Sequence, residues 1–263
     1  MTPQAHRTTL HNRVPKATVD FWLIKLMAVT MGETAADYLA VNMGIGLTAT
    51  AFIMSGILAA ALLFQFRQKR YIPAPYWMAV VLISIVGTLV TDCLIDIFGV
   101  PLTTTTMLFT AALAATFAVW FAAEKTLSIH SIYSARREAF YWLAILFTFA
   151  LGTAAGDLVA EHFELGYLTT GLLFCLIIAA FTFGYYVLKL NAILMFWLAY
   201  IFTRPLGASF GDLLSQPVEY GGLGFGTVIT SALFLAVIAA IVSYMSAKRQ
   251  GPEILISTPP SLT

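Results

Sequence analysis

Four aspartates recur at the same place in four similar segments, which makes them the first candidates for a functional site. The segments start at Phe21, Tyr76, Tyr141 and Phe196 and read FWLIKLMAVTMGETAADYL, YWMAVVLISIVGTLVTDCL, YWLAILFTFALGTAAGDLV and FWLAYIFTRPLGASFGDLL. In each segment a glycine follows the tryptophan by ten residues and an aspartate follows it by fifteen: Trp22/Gly32/Asp37, Trp77/Gly87/Asp92, Trp142/Gly152/Asp157 and Trp197/Gly207/Asp212. Four matches at fixed spacing indicate four tandem repeats.

The spacing predicts where each aspartate lies in its helix. Fifteen residues rise about 22 Å along a helix, so the tryptophan and the aspartate lie near opposite ends of the first helix of each repeat. The residue four positions before the aspartate shares its face one turn deeper. These deeper residues are Glu33, Thr88, Thr153 and Ala208. The glycine just before each of them would let another helix pack closely.

The chemistry predicted from this pattern is cation binding. If the repeats surround a common axis, the aspartates form a ring, backed by one carboxylate and two hydroxyls: Asp37, Asp92, Asp157 and Asp212, with Glu33, Thr88 and Thr153. Carboxylates held close together need a bound cation or a proton to offset their repulsion. Oxygen ligands favour Mg, Ca or Mn, so the four aspartates are the predicted metal ligands, and the ion is a substrate, not a resident cofactor. His162, in an outer turn, is interpreted as a solvated loop residue in preference to a ligand.

Arg204 breaks the fourfold pattern. It is predicted to lie near the middle of its helix, where a charge is costly and usually faces the protein interior. We interpret it either as a static partner of Glu33 or of an aspartate, or as a gate or anion-binding group. The equivalent residues in the other repeats are uncharged: Val29, Ser84 and Phe149.

The composition identifies the bilayer as the solvent. Hydrophobic residues make up 60% of the chain, charged residues 10%, and the mean hydropathy is +0.86. Apolar runs of about 20 residues, the length needed to cross a bilayer, lie near 21–39, 47–66, 76–94, 104–123, 141–159, 167–188, 196–214 and 226–246. The sequence therefore predicts an all-α polytopic membrane protein of eight transmembrane helices, built from four helical hairpins. Since all four hairpins point the same way, the pseudo-symmetry axis should run along the membrane normal.

The lysines and arginines predict the orientation. They concentrate before the first helix and after each even-numbered helix, whereas the short outer turns contain none. Because cations are enriched in cytoplasmic segments, we expect both termini in the cytoplasm and the protein in the bacterial inner membrane. Lys25, near the inner end of the first helix, is expected to snorkel toward the cytoplasmic membrane surface. The repeated tryptophans are expected to form the inner aromatic belt.

The repeats define the domain organisation. A single membrane domain, 1–247, contains repeats at about 20–70, 75–124, 140–190 and 195–247. The polar segment 125–139 is a predicted cytoplasmic linker between two halves, and 248–263 a cytoplasmic tail. The second helices carry a further polar series near their start, expected to face the aspartate level across each hairpin: Thr50, Thr105, Thr170 and, after a longer turn, Thr227.

The repeated tryptophan, glycine and aspartate resemble a family of bacterial membrane proteins made of four tandem copies of a domain of unknown function. Each copy in that family has two helices and a characteristic tryptophan. The resemblance covers residues 20 to 247 and implies an architecture but no activity. The fourth copy departs from the pattern at Ala208 and in the longer turn QPVEYGG.

Three functions agree with the sequence. The first is a transporter or channel for a divalent or proton-coupled cation, using the aspartates. The second is a carrier for a small organic or anionic solute that binds Arg204, and the third is a membrane scaffold without transport, since duplication alone also explains four aspartates. Motifs of known enzyme classes are not found, so no enzymatic activity is expected. The expected partners are the lipid bilayer and a cation or small solute, not a nucleic acid, and the oligomeric state stays open.

Overall fold

The structure, a computed structural model, describes residues 9–248 and 253–255, and eight long helices account for most of this part of the chain. They are α1 (Val19–Asp37), α2 (Leu47–Phe66), α3 (Pro73–Asp92), α4 (Leu102–Glu124), α5 (Ala135–Asp157), α6 (Gly166–Tyr186), α7 (Ala192–Ser215) and α8 (Thr227–Lys248). Two three-residue strands, β1 (Thr9–His11) and β2 (Glu253–Leu255), pair antiparallel. The prediction of a helical fold is confirmed.

Seven of these helices are long and apolar enough to cross a membrane, which is consistent with a multi-pass membrane protein. In the described part of the chain, α1 is the long helix that does not meet this criterion. It contains four charged residues: Asp20, Lys25, Glu33 and Asp37. The position of these charges decides whether α1 can be a span.

The odd-numbered helices form a closed inner ring. Helix α1 packs against α3 and α7, and α5 packs against the same two helices from the opposite side. The even-numbered helices lie outside this ring and are far more exposed along their length. We call the two ends of the ring the tryptophan end and the aspartate end, after the repeated residues near them.

Each even-numbered helix packs mainly against the odd-numbered helix of the following repeat. Helix α2 lies on α3, α4 on α5 and α6 on α7, and α8 closes the circle on α1. The expectation that each repeat packs as a hairpin is therefore wrong. The first connection illustrates the reason: a π-helical turn at Tyr38–Asn42 and positive φ angles at Gly44 and Gly46 lead the chain sideways to the next repeat.

The repeated glycines allow the inner ring to pack closely, as predicted. A Cβ atom added at any of them would overlap a side chain of the next ring helix, always at the same repeat position: Gly32 with Ser84, Gly87 with Phe149, Gly152 with Arg204 and Gly207 with Val29. The same contact thus occurs four times around the circle. This cyclic pattern places a fourfold pseudo-symmetry axis along the helix bundle.

An aromatic cluster fills the tryptophan end of the ring. The aromatic residue that opens each repeat contacts the tryptophan of the next one: Phe21 with Trp77, Tyr76 with Trp142, Tyr141 with Trp197 and Phe196 with Trp22. Trp77, Trp142 and Trp197 are at most 3% exposed. The prediction that the repeated tryptophans form the inner aromatic belt is therefore wrong for these three, because the rings fill the interior between the inner helices.

The segment before α1 covers part of the tryptophan end. Asn12 donates from Nδ2 to the carbonyl of Ile129 (2.8 Å) and accepts from the amide of Ile132 (3.1 Å). Arg13 forms an ion pair of 2.7 Å with the buried Glu138. The predicted linker 125–139 is thus packed against the N-terminal segment, and its last residues already belong to α5.

Candidate functional site

Arg204 lies at the centre of the inner ring. It belongs to α7 and is 0% exposed. The next residue, Pro205, has no N–H group, so one carbonyl of the preceding turn loses its usual helical partner. The guanidinium itself finds its partners on the neighbouring ring helices.

The guanidinium binds the equivalent position in each of the other three repeats. Nη1 lies 2.8 Å from Glu33 Oε2, and Nη2 donates to the hydroxyls of Thr153 (2.7 Å) and Thr88. Thr88 in turn donates to Glu33 Oε2 at 3.1 Å. The residues one turn below the aspartates, which the sequence predicts to share a level, are thus brought together around one side chain.

The fourth repeat supplies the space for this arrangement. At the position of Glu33, Thr88 and Thr153 it has Ala208, which is 1% exposed. Because alanine is small, the centre is left to the long side chain of Arg204, which starts one turn earlier on the same helix. The departure of the fourth repeat from the pattern is therefore what makes the cluster asymmetric.

Lys25 also points into the ring, so the expectation that it snorkels toward the membrane surface is wrong. Its side chain is 0% exposed, and Nζ donates to the carbonyl of Tyr200 (2.9 Å) and to the hydroxyl of Thr203. The ammonium also lies 3.9 Å from the centroid of the Tyr200 ring. These contacts to α7 hold the lysine inside the ring, because the two acceptors replace the water molecules that the buried ammonium has lost.

The four aspartates lie at the same end of the four ring helices. Asp37, Asp92 and Asp157 are partly exposed and directly precede a π-helical turn, whereas Asp212 is 8% exposed inside α7. Asp92 is close enough to Glu33 and Asp37 for their charges to interact. The carboxylates of α1 and α3 therefore lie directly beyond the Arg204 cluster.

A metal site is not preformed in the described part of the chain. Among residues 9–248 and 253–255, no group of three or more histidine, cysteine, aspartate or glutamate residues is arranged to hold a metal ion. The ring of Asp37, Asp92, Asp157 and Asp212 as metal ligands thus stays a prediction.

The threonine series near the start of the even-numbered helices is buried, with one correction to its fourth member. Thr50, Thr105 and Thr170 are at most 2% exposed, and the fourth member of the series is Thr230 (3%), not Thr227. The turn after Asp212 shifts the register by three residues more than the sequence comparison assumed. Thr227 instead donates to the side chain of Asn42 (3.0 Å).

A cavity of about 540 Å³ lies at the aspartate end, beside this longer turn. Its walls come from the third and fourth repeats: Ala160, Gly166, Tyr167, Gln216 and Tyr220. The sequence analysis did not find this cavity, nor the part played by Tyr200 and Thr203. The repeat alignment could have pointed to Tyr200, because it occupies in the fourth repeat the position that Lys25 occupies in the first.

Comparison with known proteins identifies the repeat. The sequence profile described as a Repeat of Unknown Function (DUF347) matches residues 21–71, 75–126, 140–190 and 195–250. No curated protein and no solved structure matches the chain. The four matches cover most of the sequence and confirm the resemblance stated above. The chain belongs to the family of DUF347 repeat proteins.

Proposed function

We propose that this protein crosses a bacterial inner membrane eight times and transports a cation through the centre of its inner ring. The tryptophan end faces the cytoplasm, since the loops there carry the lysines and arginines, such as Arg67, Lys69, Arg70 and Lys125. Each outer helix exposes large apolar side chains suited to lipid: Phe52, Met107, Leu176 and Ile229 are between 64% and 76% exposed.

Helix α1 is the eighth span in this proposal. Lys25 and Glu33, its charges within the bundle, are at most 6% exposed and bind groups on other ring helices. Charged side chains inside a membrane are tolerated where they face the protein interior and pair with one another. The polarity of α1 thus reflects its place between α3, α7 and α8.

The observation that carries the proposal is the ion pair between Arg204 and Glu33. It lies beneath the carboxylates of Asp37 and Asp92, so a cation that arrives from the aspartate end meets oxygen ligands first. There it competes with Arg204 for Glu33. The guanidinium acts as a built-in counter-ion, which the transported cation displaces and which returns when the cation leaves.

Flux measurements test this mechanism. Purified protein is reconstituted into liposomes that contain a dye whose fluorescence Mn²⁺ quenches. Mn²⁺ entry is then compared for the wild type, Glu33→Gln and Asp92→Asn. We expect both substitutions to reduce entry at least tenfold. The matched control is Asp96→Asn, whose exposed carboxylate lies in the following π-helical turn and should leave entry unchanged.

The proposal fails if Mn²⁺, Mg²⁺ and Ca²⁺ all fail to cross, or if replacing Glu33 and each repeated aspartate leaves entry normal. A second candidate is a carrier for an anionic solute, which is favoured by two buried cations, Lys25 and Arg204, near one buried carboxylate. In that case Arg204→Gln should abolish transport, while the aspartate substitutions matter less. A protein that moves neither class of solute would be a membrane scaffold.

A further inference from the structure

Lys25 is a buried cation whose partners are all neutral. In the part of the chain that the structure describes, Nζ forms no ion pair, and its hydrogen bonds go to the Tyr200 carbonyl and the Thr203 hydroxyl. The side chain is 0% exposed. A buried ammonium without a carboxylate is costly, and the usual response is a change of protonation.

The side chains around Lys25 are a second cation, a phenol and an apolar ring. Helix α7 contributes the cation Arg204 and the phenol of Tyr200, and α5 contributes the ring of Phe149, 5.8 Å from Nζ. Helix α3 contributes Tyr76, which is close enough to Tyr200 for their phenols to interact. The carboxylate that offsets the local positive charge is Glu33, two turns further along α1, and it is held by Arg204.

We propose that Lys25 is the proton site that couples cation movement to proton movement in the opposite direction. This inference rests on the proposed function. When the transported cation binds Glu33, Arg204 loses its counter-ion. Two uncompensated side-chain cations, Arg204 and Lys25, then share the interior. Lys25 relieves this by releasing the proton from Nζ, and it takes up a proton again when the transported ion has left and Arg204 has returned to Glu33.

Hydroxyl groups offer the proton a route between Lys25 and the tryptophan end. The buried Tyr200 hydroxyl has no hydrogen-bond partner among the described residues, and its side chain points back along α7, as helical side chains do. Tyr76 and Tyr141 join their hydroxyls in a hydrogen bond inside the aromatic cluster. The proton that Lys25 takes up after the ion has left thus comes from the cytoplasmic side in the proposed orientation, opposite to the direction of the cation.

Proton release on binding tests this inference without a transport measurement. Purified protein in weakly buffered detergent solution is titrated with Mn²⁺, while calorimetry records binding and an indicator dye records protons. We expect the wild type to release protons, and its Mn²⁺ affinity to rise about tenfold per pH unit for one linked proton. Lys25→Met should bind Mn²⁺ with little proton release and a flat pH profile.

Two further variants complete the experiment. Lys25→Arg keeps a permanent charge and should bind Mn²⁺ more weakly with no proton release, which covers the case that Lys25→Met does not fold. Lys69→Met, which removes an exposed lysine at the tryptophan end, should behave as the wild type. Unchanged proton release in the Lys25 variants would overturn the inference alone, whereas a wild type that binds no Mn²⁺ would overturn it together with the proposed function.

Discussion

Arg204 Nη1 lies 2.8 Å from Glu33 Oε2, although 171 residues separate the two in the chain. The pair joins the first repeat to the last and closes the inner ring at its centre. Burying either group without the other is costly, because an isolated charge in a medium of low polarity loses its hydration without compensation. This dependence makes the pair the most informative place to test the architecture.

Breaking the pair should destabilise the protein. We expect Arg204→Met to lower the free energy of unfolding by about 3–5 kcal/mol, since Glu33 is left buried and unpaired. Glu33→Gln should also destabilise the protein. The double variant Arg204→Met/Glu33→Gln should lose less free energy of unfolding than the two single variants lose together. Unfolding in detergent, followed by tryptophan fluorescence, measures all three.

The control for this prediction is an arginine in an exposed ion pair. Arg136 binds Glu124, and its side chain is 68% exposed. Arg136→Gln should cost at most about 1 kcal/mol. Equal losses in the two arginine variants would contradict the burial of the central pair.

The close contact between ring helices predicts that replacing two glycines by alanine has different effects on the free energy of unfolding. At Gly87 an added Cβ would lie 2.8 Å from Phe149 Cβ and 3.2 Å from the backbone nitrogen of Ala150, so Gly87→Ala should cost about 1–3 kcal/mol. Gly56, on the outer helix α2, has open space around it. There the alanine should stabilise the helix by up to about 1 kcal/mol. Thermal unfolding of the two variants is the measurement, and similar shifts in both would refute close packing of α3 on α5.

Closure of the ring by α8 can be tested by cross-linking. The hydroxyl oxygens of Thr34 and Ser231 are 2.6 Å apart across α1 and α8. After Cys93 and Cys175 are replaced by serine, Thr34→Cys and Ser231→Cys should form a disulfide on mild oxidation. After the chain is cut in the segment 125–134, the two fragments stay joined on a gel only if the disulfide has formed. The pair Thr34→Cys and Thr170→Cys, which lies on helices that do not pack together, should not react.

Labelling from outside the cell tests the orientation. Phe98, 72% exposed, lies in the turn between α3 and α4 at the aspartate end, whereas Lys69 lies between α2 and α3 at the tryptophan end. In the same cysteine-free background, a membrane-impermeant maleimide should label Phe98→Cys in intact spheroplasts. Lys69→Cys should react only after permeabilisation. The reverse result would invert the proposed topology.

The sequence by itself determined the heights of residues along the bundle. Because a helix rises by a constant distance per residue, equal spacing from the tryptophan puts Glu33, Thr88 and Thr153 at one level whatever the helices pack against. The length and polarity of the apolar runs likewise determined the helical fold. Spacing fails only where an insertion shifts the register, as it does for Thr230 in place of Thr227.

The lateral arrangement was decided only by the tertiary structure. Nothing in the repeat pattern states that α2 leaves α1 and packs on α3, or that Trp77 turns into the ring instead of toward lipid. The orientation of Lys25 is equally non-local, since it depends on acceptors at Tyr200 and Thr203, 175 and 178 residues away. Such choices depend on which buried groups meet across helices, and that requires the assembled ring.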